Sequence, residues 1–218
     1  MGGITIHSNP GIKWHRERAE WFKGGLERLG FTVSMTQSTT RINHHPAVLF
    51  GTSGFKAVEA DRGHWLLVDR ACWGDPGYVR LGWDARGIEA NYCVPDYFAD
   101  RPRWIPAIKK HNPGKKVILC GDYDDTPVVT PEITHFKPHP HAPVNTTLPL
   151  VDNFDDCKLA VVGNSTVAFD CIFAGIPVDI RSKASIARMP LEFLSWTQWA
   201  WSEIADGEAI RHIFKGYL

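Results

Sequence analysis

Three stretches in the second half of the chain carry residue types that could hold an anion. Lys137-Pro138-His139-Pro140 puts a cation and an imidazole at the end of a short apolar run. Val161-Val162-Gly163-Asn164-Ser165-Thr166 ends a second apolar run with an amide and two hydroxyls. An apolar helical pattern then runs through Asp170 and closes at Gly175-Ile176-Pro177-Val178. A strand with a polar tip that leads straight into a helix offers backbone N–H groups and a helix dipole to negative charge. The stretch therefore reads as half of a nucleotide-diphosphate pocket.

Other residues could do acid–base or metal chemistry. Asp69 ends the apolar run Trp65-Leu66-Leu67-Val68, where a carboxylate could take a proton from a hydroxyl. Asp84 and Asp75 stand behind it as candidates, and a structural salt bridge, with Arg70 as one partner, is the alternative for Asp69. His135, His139 and His141 alternate, which is a metal-ligand spacing, but Pro138, Pro140 and Pro143 interrupt it. Gly121-Asp122-Tyr123-Asp124-Asp125 with Gly163-Asn164 is similar to pieces of two-metal phosphoesterases, yet Ser165 stands where those have a histidine. A solvated acidic loop is the plainer reading. Gly51-Thr52-Ser53-Gly54 lacks the lysine of a phosphate-cradling Walker loop. Lys13, Arg16, Arg18 and Lys23 form either the solvated face of one helix or a guide for a polyanion.

The elements that must position these groups alternate. Ile4–His7, Phe31–Met35, Ala47–Phe50 and Trp65–Val68 read as strands. Lys13–Leu29 reads as a helix stopped by Gly30, and Phe55–Asp61 as another. A short strand over Val79–Trp83 follows. This is the rhythm of a small parallel α/β domain. Pro102, Pro106 and Asn112-Pro113-Gly114 mark a linker. The rhythm restarts with strands at Val117–Cys120, His135–Lys137, Leu159–Val162 and Val178–Ile180, with a helix over Ser165–Phe173. Leu191–Phe214 reads as one or two Trp-rich helices. The expected domains are 1–108, 109–190 and a helical tail 191–218. Polar clusters fall at strand ends, where open parallel sheets bind ligands.

The chain has 218 residues, 44% hydrophobic and 22% charged, with a net charge of zero. That suits a globular protein with a real core and disfavours one that coats DNA by charge alone. Its five cysteines are scattered, odd in number and never spaced as CxxC, so reduced core thiols in a cytoplasmic protein are expected. Met1-Gly2-Gly3-Ile4 enters a strand with no signal-like segment, and no apolar run approaches the roughly 18 residues that cross a bilayer.

Taken together, Lys137-Pro138-His139-Pro140, Gly163-Asn164-Ser165-Thr166 and the helix running to Ala174-Gly175-Ile176-Pro177-Val178 resemble the donor half of GT-B glycosyltransferases. The nearest pattern is the subgroup of sialyl-, Kdo- and capsule-polymer transferases with an HP motif and a Ser/Thr-rich turn. The resemblance covers residues 115–180. It implies two Rossmann-like domains facing a cleft, with C-terminal helices crossing back to the first. It also implies a metal-independent, inverting sugar transfer that needs no cofactor beyond a nucleotide-sugar, with a UDP-sugar first in line. By the same resemblance Lys137, His139, Asn164, Ser165 and Thr166 would bind the donor, Gly121 would approach it through backbone, and Asp170 would meet the ribose, where the family usually has Glu. His139 would also assist the leaving group, and Asp69 or Asp84 would act as base. Thr52, Ser53, Arg70 and Trp83 are expected on the acceptor side. The stretch from Leu67-Val68-Asp69-Arg70 to Leu81-Gly82-Trp83-Asp84 looks like small phage-encoded members that glycosylate 5-hydroxymethylpyrimidines, so double-stranded phage DNA is the favoured acceptor. A cell-envelope glycan acceptor, a metal-dependent phosphoesterase and a non-catalytic nucleotide- or nucleic-acid-binding module are the rivals.

Overall fold

The computed structural model describes residues 2–9, 11–37, 46–51, 63–74, 77–85, 89–92, 104–122, 127–140, 142–216 and 218. The chain divides into two compact units, Met1–Arg103 with Phe193–Leu218, and Trp104–Glu192. The boundaries expected from the sequence, 108/109 and 190/191, fall a few residues from these.

Unit 1 is built on β1 (Gly3–His7), β2 (Thr32–Thr36), β3 (Ala47–Phe50), β4 (Trp65–Arg70), β5 (Tyr78–Trp83), β6 (Asn91–Tyr92) and β11 (Gln198–Ala200). Four strands run parallel in the order β2-β1-β3-β4. The expected all-parallel sheet ends there, because β5 pairs antiparallel with β4, and β6 and β11 pair antiparallel with β5. Residues 71–77 are too few for a parallel crossover, which needs about a dozen residues or more. They turn back instead, through Gly74 at φ +76° and a Gly77 N–H to Gly74 carbonyl bond of 2.9 Å.

Helix α1 (Lys13–Arg28) buries His15, Ala19, Phe22, Gly25 and Leu26, one stripe at helical spacing. It stops where Gly30 takes φ +86°. Ile4, Ile6, Phe22, Phe50, Trp83, Trp199 and Phe214 share its core. The tail expected as one or two helices is broken into α3 (Leu191–Thr197), β11, α4 (Trp201–Ala205) and α5 (Glu208–Ile213). The Glu203 carboxylate accepts the Ala200 N–H at 2.6 Å at the start of α4, and Gly207 at φ +83° separates α4 from α5. Gly25 lets α1 and α4 touch: a Cβ there would sit 2.3 Å from the Ile204 carbonyl oxygen.

Unit 2 is an all-parallel sheet, β10-β9-β7-β8, from β7 (Lys116–Cys120), β8 (His135–Lys137), β9 (Cys157–Val162) and β10 (Val178–Ile180). Helix α2 (Val167–Phe173) follows β9. Both faces are covered. Val117, Leu119 and Phe136 pack on one side, and Ile118, Ala160 and Cys171 on the other, as the period of two requires. In sequence order both units place their parallel strands as second, first, third, fourth. In each, the crevice where strand order reverses lies between the first and third strands.

Candidate functional site

In unit 2 the reversal falls between β7 and β9, and the polar tips of both strands meet there. The Asp122 carboxylate accepts the Asn164 N–H at 2.9 Å, tying the β7 and β9 loops together. Beside this tie lies a cavity of about 300 Å³ lined by Gly121, Lys137, His139, Ser165, Thr166 and Asp170, together with Cys120, Val167 and the two flanking prolines. Residues from β7, β8, α2 and the turn between β9 and α2 therefore converge at the carboxyl edge of one sheet.

Local chemistry explains each position. Gly121 donates its N–H to the Lys137 carbonyl at 2.8 Å. A Cβ on Gly121 would lie 2.8 Å from Phe136 Cζ and 3.0 Å from the His139 nitrogen, so only glycine lets the β7 tip close against the β8 tip. Lys137 Nζ donates to the Asp152 carbonyl at 2.8 Å and lies 5.7 Å from the Phe154 ring centre, which leaves further ammonium donors for a ligand. The Ser165 hydroxyl accepts the Val167 N–H at 3.3 Å and so shapes the turn into α2. Thr166 is exposed and Ser165 half-buried. Asp170 keeps an exposed surface, yet the protein packed around its carboxyl penalises the charged form and raises its pKa, with Lys137 opposing. Burial pushes the Cys120 thiol up to about 12, so it stays protonated and is no nucleophile at neutral pH.

Cys72, Cys120, Cys157 and Cys171 are all buried free thiols, and Cys93 lies outside the described residues. His135 is in β8 with its Nδ1 2.8 Å from the Thr134 hydroxyl, His139 lies beyond the strand, and His141 is outside the described residues. Among the described residues no group of three or more His, Cys, Asp or Glu side chains is placed to hold a metal. Asp124 and Asp125 also lie outside them.

Unit 1 separates the residues expected on the acceptor side. Arg70 ends β4 at the carboxyl edge of the parallel strands. Thr52, Ser53 and Asp75 lie outside the described residues, as does the expected helix over Phe55–Asp61. Trp83, expected to face an acceptor, is instead a core residue, 8% exposed and 5.3 Å from the Phe214 ring centre. Asp84 stands at the opposite end of the sheet from Arg70. Its Oδ1 accepts the Trp65 N–H and its Oδ2 lies 2.9 Å from His64 Nδ1, at the start of β4. Asp84 takes φ +59° there, closing the β4–β5 pairing, so it shares no site with Asp69.

Asp69 is paired, and its partner is Arg80 rather than Arg70. Arg80 Nη2 donates to Asp69 Oδ2 at 2.5 Å across directly opposed positions of β4 and β5. Burial is the largest single influence and works against the Arg80 cation, but Asp69 by charge and hydrogen bond, with Cys72 and Tyr92 adding to it, outweighs it and Arg80 stays charged. The other oxygen, Oδ1, accepts the Arg70 N–H at 2.8 Å. Sequence reasoning missed Arg80, although an arginine inside the apolar run Val79–Trp83 signalled that a carboxylate would be near.

No protein-family model matches the sequence, and no curated protein matches it. No helix among the described residues is long and apolar enough to cross a membrane.

Proposed function

We propose that the chain is a compact GT-B-type glycosyltransferase, with unit 2 binding the nucleotide-sugar and unit 1 the acceptor. The observation that carries this reading is the unit 2 cavity at the strand-order reversal. A lysine, a histidine and two hydroxyls suit a diphosphate, and a carboxylate at the cavity wall suits ribose hydroxyls. The acceptor hydroxyl oxygen attacks the anomeric carbon, and the bond from that carbon to the phosphate oxygen breaks. The hydroxyl proton passes to a carboxylate, and the released nucleotide is stabilised by Lys137, His139, Ser165 and Thr166. These cationic and hydroxyl groups carry the charge without a resident metal in this reading. Asp69 keeps the place of base because it stands at the carboxyl edge, which Asp84 does not. The favoured acceptor is a 5-hydroxymethylpyrimidine in phage DNA, and a UDP-sugar is the first donor to try.

Melting curves with UDP, CMP, GDP and their sugars, with and without EDTA, test the reading. A nucleotide at 100 times its dissociation constant adds about 2.7 kcal/mol of stability. One nucleotide family should raise the melting temperature whether or not EDTA is present, and Ser165→Ala with Asp170→Asn should remove the shift. No shift with any nucleotide, or one seen only with free divalent metal, would overturn it.

A further inference from the structure

A second cavity, of about 480 Å³, lies wholly within unit 1, where the first turns of α1 face the end of β4 and the start of β5. Its wall combines cations with aromatic rings: Lys13, Arg18 and Arg70 beside Trp14, Tyr78 and Trp201. Among the described residues Glu17 is the one carboxylate in that wall, 3.9 Å from Lys13 on an exposed helix face.

The cations are positioned by rings. The Arg70 guanidinium lies 5.9 Å from the Trp14 ring centre. Among the described residues it makes no ion pair, because the neighbouring Asp69 carboxylate is turned to Arg80. Arg18 sits 4.3 Å from the Trp21 ring centre and 5.0 Å from that of Trp201. Trp14 is itself braced, edge-on to His15 at 4.3 Å and tilted on Phe50 at 5.9 Å. Rings fixed before binding lose little freedom when a ligand arrives. The Arg70 charge, held near a ring and outside any ion pair among the described residues, keeps its pull on an anion.

We propose that this cavity binds a nucleotide, with the base against the Trp14 and Tyr78 rings and the phosphate taken by Arg70, Arg18 and Lys13. Stacking surfaces interleaved with cations are what a base joined to a phosphate needs, and the volume is in the range that holds one small ligand. The nucleotide is either free or one residue of a strand. The site stands on unit 1 alone and does not depend on the transferase reading.

Quenching of tryptophan fluorescence by dTMP, by an eight-residue oligothymidylate and by glucuronate, measured at two salt concentrations, tests this. At least one of the two nucleotide probes should quench. Tighter oligothymidylate binding identifies a strand as the source, and equal binding per site identifies a free nucleotide. Arg70→Gln, checked for an unchanged melting curve, should weaken binding about tenfold and flatten its salt dependence. Trp14→Leu should weaken it without changing the salt slope. Lys137→Ala, in unit 2, should leave this binding intact. The inference is overturned if neither nucleotide binds, if glucuronate binds as tightly as they do, or if Lys137→Ala abolishes binding while Arg70→Gln does not. That last outcome would place the ligand in the unit 2 cavity and leave the donor reading standing.

Discussion

Replacing Asp69 with alanine should strand a buried cation. The Arg80 side chain is 7% exposed and its ion-pair partner Asp69 37% exposed. Removing one member of a fully buried pair costs about 3–5 kcal/mol, chiefly because the other charge is left without compensation. Water reaching the Asp69 side screens part of this, so the lower end, about 3 kcal/mol, is expected. In a unit of this size 1 kcal/mol moves the melting temperature by about 4 °C, which makes the expected fall about 12 °C. Asp69→Asn keeps an acceptor for Arg80 and should fall less. Adding Arg80→Met to Asp69→Ala should recover most of the loss, since an apolar replacement of a buried pair is close to neutral. Far-UV circular dichroism against temperature reads all three. A melting temperature for Asp69→Ala within about 2 °C of the parent, or no recovery in the double variant, would refute the pairing argument. The same series separates two roles for Asp69. As a base it is lost in Asp69→Asn, with transfer abolished and stability largely kept. As a partner for Arg80 alone it leaves transfer by Asp69→Asn intact.

Three further outcomes are expected. His15 is 3% exposed, and its pKa is lowered from 6.5 to about 4 by burial first and Arg70 second, with Asp69 opposing. Between those values the unfolded chain binds a proton that the folded chain does not. Stability is therefore full above pH 6.5 and falls as the pH drops toward 4, by about 3 kcal/mol in all. Urea midpoints across that range should shift more for the parent than for His15→Gln, and equal shifts would contradict it. Gly175→Ala should destabilise by about 3 kcal/mol, because φ is +77° and the new Cβ would lie 2.1 Å from the Lys109 carbonyl oxygen. A urea-derived loss below about 1 kcal/mol would count against that geometry. Gly121→Ala should lower stability by about 1–3 kcal/mol and abolish nucleotide-induced stabilisation, since the methyl pushes on Phe136 and on the backbone of His139. Retained stabilisation in melting curves would remove Gly121 from the site.

The parallel core was legible because its signals are local. Alternating or continuous apolar runs bounded by Gly and Pro located β1, β3, β7 and β10 to within a residue. The antiparallel half of unit 1 was not read, though the short connection 71–77 excludes a crossover on length alone. β11 was hidden more deeply. Gln198-Trp199-Ala200 sits in a run of helix-compatible residues, and it becomes a strand because β5 offers an open edge. There Trp199 is fully buried and the Gln198 side-chain Oε1 accepts the Trp73 N–H at 3.1 Å. Tertiary pairing overrode propensity, as it does for short strands.

The two cavities differ in legibility for the same reason. The unit 2 cavity is made largely by strand tips, and a tip follows its strand in sequence, so Lys137, His139 and Ser165 could be grouped from strand ends alone, while Asp170, inside α2, was reached only through the family resemblance. Trp83 and Asp84 show the limit of that rule. They follow an apolar run too, but β5 runs antiparallel to β4, which carries its tip to the opposite end of the sheet. The unit 1 cavity obeys no tip rule. Lys13 and Arg18 belong to a helix face that reads as solvated or as a guide for a polyanion, Trp14 reads as one of that helix's apolar residues, and Trp201 arrives from the far end of the chain. The pairing of β11 with β5 brings Trp201 to 6.1 Å from Trp21, with the Arg18 guanidinium over both rings. A site assembled by an edge strand is invisible to spacing until that strand has been placed.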